Sequence, residues 1–108
     1  AILAKGDDDK FWSLLDERLQ LCYDALMCRH RALEGVTSDV SPVHWQYGAI
    51  ARLKKGEVID PLLHNSYSTI SLGYIGVYET TKLMRGVSHT DPVGEEFALK
   101  LMHKLRAA

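Results

Sequence analysis

Residues 66–79, SYSTISLGYIGVYE, join an alternating segment to two glycines and the start of a helical pattern. Apolar and small or hydroxyl-bearing residues alternate at first, and this period of two predicts a half-buried strand over residues 67–74. Beyond Gly76 the apolar residues recur at helical spacing, which predicts a helix over residues 76–85. A strand needs a neighbour for its backbone hydrogen bonds, and the chain offers only weak pairing candidates near residues 2–4.

Helix-start and helix-stop signals predict further helices on both sides of this stretch. An acidic segment and a long apolar stripe predict a first helix that is capped by Asp8 or Asp9 and stops at Gly35. Each of the three prolines follows Ser or Asp, which is a typical helix entrance. The helices are expected over residues 10–34, 42–53, 61–65 and 92–106. The fold class is therefore mainly α, with about four helices and one or two short strands.

Length and charge exclude several classes of function. The chain has 108 residues, which suits a single domain, and 13 Lys and Arg against 14 Asp and Glu leave a net charge of -1. The sequence contains no basic patch of the kind that indicates nucleic-acid binding. It also contains no window of about 18 apolar residues, which a membrane span would require. With this balance of charges, any nucleotide binding would have to depend on the local arrangement of a few residues.

The cysteines and histidines do not predict a metal site. Cys22 and Cys28 lie six residues apart on one predicted helix and point about 120° apart, so they are expected as two reduced thiols in a cytoplasmic protein. The five histidines lack zinc-ligand spacing among themselves and with the cysteines. No nucleophile with an oriented base is evident either, so no catalytic residue is assigned.

The candidate binding site is the junction between the predicted strand and the helix after it. Two glycines allow a ligand to approach the backbone, hydroxyl groups supply donors, and the N–H groups of a helix start favour phosphate. The same small residues also fit simple close packing of strand and helix. The candidate contacts are Ser68, Thr69, Ser71, Gly73, Tyr74 and Gly76.

Three further features of the sequence each allow two interpretations. Arg18 and Arg29 lie within the apolar stripe of the first helix, where each either extends its charged end to water or pairs with a carboxylate of a neighbouring element. The segment at 44–47 is either a core edge or part of a nucleotide pocket. The pair at 64–65 either lines a pocket or caps a short helix.

Four stretches, which occur in order between residues 11 and 99, resemble the anaerobic (class III) ribonucleoside-triphosphate reductases. They are FWSLLDERL, SPVHWQYGAIARLKKGEVIDPLL, HNSYSTISLGYIGVYET and SHTDPVGEEFAL. The resemblance implies that the chain is an internal piece of a much longer enzyme built on a ten-stranded α/β barrel. A first residue other than Met and a helical C-terminus agree with that expectation.

The resemblance also implies the chemistry of the parent enzyme. Such enzymes reduce ribonucleoside triphosphates by glycyl and thiyl radical chemistry with formate as reductant, as homodimers. They contain zinc in a C-terminal module, respond to ATP and deoxynucleotide effectors, and are activated by an iron–sulfur, S-adenosylmethionine-dependent partner. None of the radical-bearing residues or zinc cysteines has a counterpart here, so we expect no cofactor in this segment and no activity from it in isolation. A helical interaction module, or a small nucleotide-binding domain using the Gly73–Gly76 junction, are the alternatives.

Overall fold

The computed structural model describes residues 1–65 and 67–108, which form two compact units. Unit 1 comprises Ala1–Tyr23 and Leu72–Ala108, and unit 2 comprises Asp24–Ser71. The helices are α1 (Asp8–Arg31), α2 (Pro42–Trp45), α3 (Asp60–Leu63), α4 (Val77–Arg85) and α5 (Pro92–Ala107). Helix α1 contributes its first residues to unit 1 and its last to unit 2. The expectation of a mainly helical chain is confirmed.

Helix α1 begins and ends earlier than the sequence predicts. The side chain of Asp7, rather than that of Asp8 or Asp9, accepts a hydrogen bond of 2.9 Å from the backbone N–H of Lys10. At the other end the regular helix stops at Arg31, and a series of turns leads to Gly35, whose φ of 75° is the left-handed conformation that glycine adopts easily.

The core of unit 1 is an apolar cluster between α1, α4 and α5. Its buried members are Ala4, Phe11, Met84, Phe97 and Leu101. The ring of Phe11 lies 4.9 Å from that of Trp12 and 5.4 Å from that of Phe97 between centroids, which are favourable aromatic spacings. From the apolar stripe of the first helix, Phe11 is buried in this cluster and Leu15 packs against it.

An ion pair closes the edge of this core. Arg85 donates two hydrogen bonds to the carboxylate of Asp8, at 2.7 and 2.6 Å, and its guanidinium lies 4.4 Å from the centre of the Phe97 ring. These hydrogen bonds lower the pKa of Asp8 below its ordinary value of 3.8, against the opposing effect of desolvation. The pair therefore links the start of α1 to the end of α4.

The entrance of α5 depends on a close backbone approach. Asp91 caps the helix by accepting a hydrogen bond of 3.1 Å from the N–H of Val93, and Pro92 occupies the first turn. Gly94 is buried, and a Cβ placed on it would lie 1.9 Å from the carbonyl oxygen of Ser88. Only glycine fits at this position.

Unit 2 is built from short elements held by hydrogen bonds. An isolated antiparallel bridge pairs Thr37 with Val58, and a short 3-10 helix follows at Ser38–Val40. The hydroxyl of fully buried Ser38 donates to the carbonyl oxygen of Lys54 at 2.7 Å. Buried Ile59 directly follows the bridge and precedes α3. Backbone pairing therefore positions α3.

The prediction of a helix over residues 42–53 is wrong in its length, because α2 ends at Trp45. The chain folds back after it: the N–H groups of Ile50 and Ala51 both donate to the carbonyl oxygen of His44. Gly48 has a φ of 86°, which a regular right-handed helix cannot contain. The helix entrance at Pro42 is a local signal, whereas the reversal depends on the backbone conformation at Gly48.

The strand predicted over residues 67–74 is also wrong, since no strand forms in the described part of the chain. The weak partner near residues 2–4 lies in a turn instead. An alternating segment without a partner cannot satisfy its backbone groups as a ladder, and its described residues are exposed up to Ile75. Ser66, which opens the quoted stretch, lies outside the described residues.

Among the described residues, not one helix combines the length and the apolar character needed to cross a bilayer.

Candidate functional site

An open cleft in unit 2 is lined by both polar and apolar side chains. It encloses about 330 Å³, at the lower end of the range for small-molecule sites. Its polar lining is formed by Arg29, His30, Ser68, Thr69 and Ser71. Its apolar lining is formed by Leu26, Leu33, Trp45, Leu63 and Ile70. The cleft therefore combines a guanidinium, hydroxyl groups and an indole.

Local structure explains how these side chains come together. Arg29 and His30 lie in the last turn of α1, and Trp45 is the last residue of α2. The hydroxyl of Tyr67 donates a hydrogen bond of 2.7 Å to the carbonyl oxygen of Ile50, which fixes the start of the segment that carries the hydroxyl groups. The cleft lining thus combines the end of α1, the end of α2 and the segment at residues 68–71.

The six candidate residues do not form one site. Ser68, Thr69 and Ser71 line the cleft of unit 2. Tyr74 and Gly76 line a separate apolar cleft of unit 1, and Gly73 is exposed. The predicted junction is therefore divided between the two units.

Geometry at Gly76 favours a packing role over phosphate binding. Its φ of 88° starts α4, which agrees with the predicted helix entrance. The carboxylate of Glu79 lies 3.8 Å from where a Cβ on Gly76 would be. A carboxylate at a helix N-terminus already compensates the helix dipole and repels phosphate. Gly73 has no positive φ and no close neighbour, so nothing at that position requires glycine.

Arg29 and Trp45 line the cleft, and the sequence indicates them only indirectly. Arg29 interrupts the apolar stripe of α1, and that interruption was the signal: a charged residue at an apolar position faces a cleft here. Trp45 belongs to the segment with a possible pocket role, and it lines the cleft. Its neighbour His44 is exposed, with its ring nitrogen 2.6 Å from the Ser41 hydroxyl. Arg18 is likewise exposed and lines an apolar groove of unit 1.

The thiols and the potential metal ligands of the described residues are placed differently. Cys22 is half-buried and Cys28 is exposed, and both are free thiols. His30, Glu34 and His64 lie together, with their potential ligand atoms within 4.8 Å of one another. The two histidines are far apart in the sequence, so ligand spacing along the chain gave no signal for this group.

The whole chain is similar to one family of known proteins. A family model described as anaerobic ribonucleoside-triphosphate reductase matches residues 1–108. The proteins of that name from Salmonella typhimurium and Escherichia coli are 46% and 44% identical over 90 residues, 82% of this chain and 13% of each relative. The protein of the same name from Enterobacteria phage T4 is 38% identical over 102 residues, 94% of this chain and 15% of the relative.

The chain therefore spans only about 13–15% of the length of these curated relatives. No solved structure matches it. The matches confirm the resemblance that the four sequence stretches indicate.

Proposed function

The chain belongs to the family of anaerobic ribonucleoside-triphosphate reductases, and from that premise we propose that it is a segment of an enzyme that makes deoxyribonucleoside triphosphates. The overall reaction replaces a ribose hydroxyl by hydrogen and releases water. In this proposal formate supplies the two electrons and leaves as carbon dioxide, and glycyl and thiyl radicals outside this segment carry the reaction. The segment itself contributes substrate contacts and is inactive alone.

The cleft of unit 2 is the observation that carries this proposal. Arg29 offers a guanidinium, which binds phosphate oxygens in a two-pronged geometry. The hydroxyl groups of Ser68, Thr69 and Ser71 add donors to phosphate or ribose oxygens. Among the described residues that line the cleft there is no carboxylate to repel a triphosphate.

Trp45 supplies the apolar contact that a nucleotide also needs. Its indole lies at the end of α2 in the cleft lining, where it is available to stack on a base. Leucine side chains complete that wall. Charged, hydroxyl and apolar side chains in one cleft offer contacts to the phosphate, ribose and base of a nucleotide.

Exposed apolar side chains support a role inside a larger protein. Ile2, Tyr47 and Ile75 are large, apolar and among the most exposed residues described. Single exposed apolar residues are ordinary, but their number in both units fits a segment that packs against further protein. In this proposal that protein is the remainder of the reductase barrel.

The direct test is a chimera. The matching segment of the Escherichia coli reductase is replaced by this chain, and ribonucleotide reduction is measured under anaerobic conditions after activation. We expect the chimera to reduce ribonucleoside triphosphates. A chimera that is folded and activated but makes no deoxyribonucleotide would contradict the proposed function.

The contribution of Arg29 is tested in the same chimera. Arg29→Ala removes one charge-assisted phosphate contact, so we expect KM for the ribonucleotide to rise about tenfold. Arg31→Ala is the matched control, because Arg31 is an exposed arginine in the same helical turn outside the cleft lining. Equal KM values for the two variants would remove Arg29 from the substrate site.

The two alternative functions have less support. A nucleotide domain built on Gly73 and Gly76 conflicts with the Glu79 carboxylate at that helix start. An interaction module would use the exposed apolar side chains as a partner surface, and light scattering that detects a stable monomer would disfavour it.

A further inference from the structure

We propose that His30, Glu34 and His64 form a binding site for one divalent metal ion of the zinc class. Their potential ligand atoms lie within 4.8 Å of one another. The two imidazole rings are 5.3 Å apart between centroids and nearly perpendicular, at 82°. The proposal does not depend on nucleotide binding.

The fold brings these residues together through the turn after α1 and the start of α3. The carboxylate of Asp60, the first residue of α3, accepts a hydrogen bond of 2.7 Å from the N–H of Gly35. The N–H of Ile59 donates to the carbonyl oxygen of Val36 at 2.9 Å. These two bonds join the turn that carries Glu34 to the short helix that ends just before His64.

Helix geometry supplies the third ligand. His30 lies in the last turn of α1, and Glu34 follows it by four residues in the turns that continue from that helix. The N–H groups of Leu33 and Glu34 still bond to carbonyl oxygens three residues earlier. A spacing of four in helix-like backbone places two side chains on the same side.

The donor set determines which ion fits. Two imidazole nitrogens and one carboxylate oxygen match zinc sites with three protein ligands and an open fourth position. Magnesium and calcium prefer oxygen ligands and would bind such a set poorly. Glu34 and His64 are exposed, so water has access to the fourth position.

Small side-chain rotations would complete the geometry. Ligand atoms around a tetrahedral zinc ion with bonds of about 2.0–2.1 Å lie roughly 3.4 Å apart. The observed limit of 4.8 Å is wider. Glu34 and His64 are exposed, and rotation about the bonds of their side chains can narrow these distances.

Zinc titration of the whole 108-residue chain, freed of metal with a chelator, tests the proposal. We expect calorimetry to give one Zn²⁺ per chain, Co²⁺ to give the visible absorption of a tetrahedral site, and Mg²⁺ to give no heat. His64→Ala and Glu34→Gln should each weaken Zn²⁺ binding at least tenfold. Glu34→Gln changes an exposed residue and keeps its shape, so it retains the fold if His64→Ala does not.

Two control variants separate this site from other ligands. His103→Ala removes an exposed imidazole of α5 and should leave Zn²⁺ affinity unchanged. Cys28→Ser removes the exposed free thiol two residues before His30 and should also leave it unchanged. The proposal is overturned if the folded chain binds no Zn²⁺, or if Cys28→Ser abolishes binding while Glu34→Gln has no effect.

Discussion

The two units differ in what holds them together. Unit 1 contains a cluster of buried aromatic and aliphatic side chains around Phe11 and Phe97. Among the described residues of unit 2, the buried apolar side chains are Ala51 and Ile59, and backbone and side-chain hydrogen bonds connect its short elements. The polar cleft and the histidine cluster both lie in unit 2. The groups proposed here for binding are thus concentrated where apolar packing is weakest, which agrees with the low local stability common at binding sites.

Phe97→Ala should have the largest effect and should act on unit 1. It removes a buried ring that contacts two other aromatic rings, so we expect a loss of about 3–5 kcal/mol in the free energy of unfolding. Urea denaturation measures the loss, and hydrogen exchange locates it. Leu99→Ala, at an exposed position of the same helix, should change stability by less than about 0.5 kcal/mol. Similar losses for the two variants would contradict the described core.

Gly94→Ala should also destabilise unit 1, by about 1–3 kcal/mol. Its new methyl group would overlap the backbone carbonyl of Ser88, which cannot move as easily as a side chain. Gly73→Ala is the control, because Gly73 has neither a close neighbour nor a positive φ. Thermal unfolding followed by circular dichroism compares the two. A Gly94→Ala protein as stable as the control would mean that α5 does not approach Ser88 so closely.

Asp60→Ala should affect unit 2 and not the core of unit 1. It removes the hydrogen bond to the N–H of Gly35, so we expect a loss of about 1 kcal/mol and faster amide exchange around the bridge. Zn²⁺ affinity should fall as well, because this bond helps to bring His30 and His64 together. Asp39→Ala removes a different hydrogen bond of unit 2, the one from the side-chain amide of Gln46 at 3.2 Å, and should leave Zn²⁺ affinity unchanged. Unchanged exchange around Thr37 and Val58 would argue against the bond.

Acid should remove the smallest contribution, that of the ion pair of unit 1. The pKa of Asp8 is lower in the folded chain than its ordinary value of 3.8, chiefly because of the Arg85 hydrogen bonds. Its stabilisation is therefore fully present above that value and is lost as pH falls through the folded pKa. Because the pair is partly exposed, we expect at most about 1 kcal/mol.

Asp8→Asn checks this prediction. The difference in unfolding free energy between the unsubstituted chain and the variant should be measurable at pH 6 and should shrink as the pH falls below 3.8, the ordinary pKa of the carboxyl, toward the lower folded pKa. A constant difference across this range would show that charge is not the cause. Asp9→Asn, at an exposed position in the same helical turn, is the matched control.

Sequence patterns predicted the helices of unit 1 better than the elements of unit 2. The apolar stripe of the first helix and the Asp91–Pro92 entrance are local signals, and α1 and α5 lie close to the expected ranges. By contrast, contacts with distant residues decide whether α2 continues beyond Trp45 and whether residues 67–74 form a strand. At Gly48 the backbone reverses, and the alternating segment lacks a pairing partner in the described chain.

The candidate site was predicted in part. Hydroxyl groups at 68, 69 and 71 do line a cleft, whereas Gly73, Tyr74 and Gly76 belong to the other unit. Arg29 was visible as a charge within an apolar stripe, but the sequence could not say what it faces. The prediction that this chain uses no metal stays a prediction until zinc is titrated.

By itself the sequence determined the family and the long helices, because both depend on residue identity and on spacing within short segments. Only the tertiary structure decided that His30 meets His64 and that Arg29 lines the same cleft as three hydroxyl groups. Those encounters require a backbone bridge and a side-chain hydrogen bond between segments that are distant in the chain. Hydrogen bonds of this kind leave no periodic pattern in the sequence, since each depends on a single pair of residues.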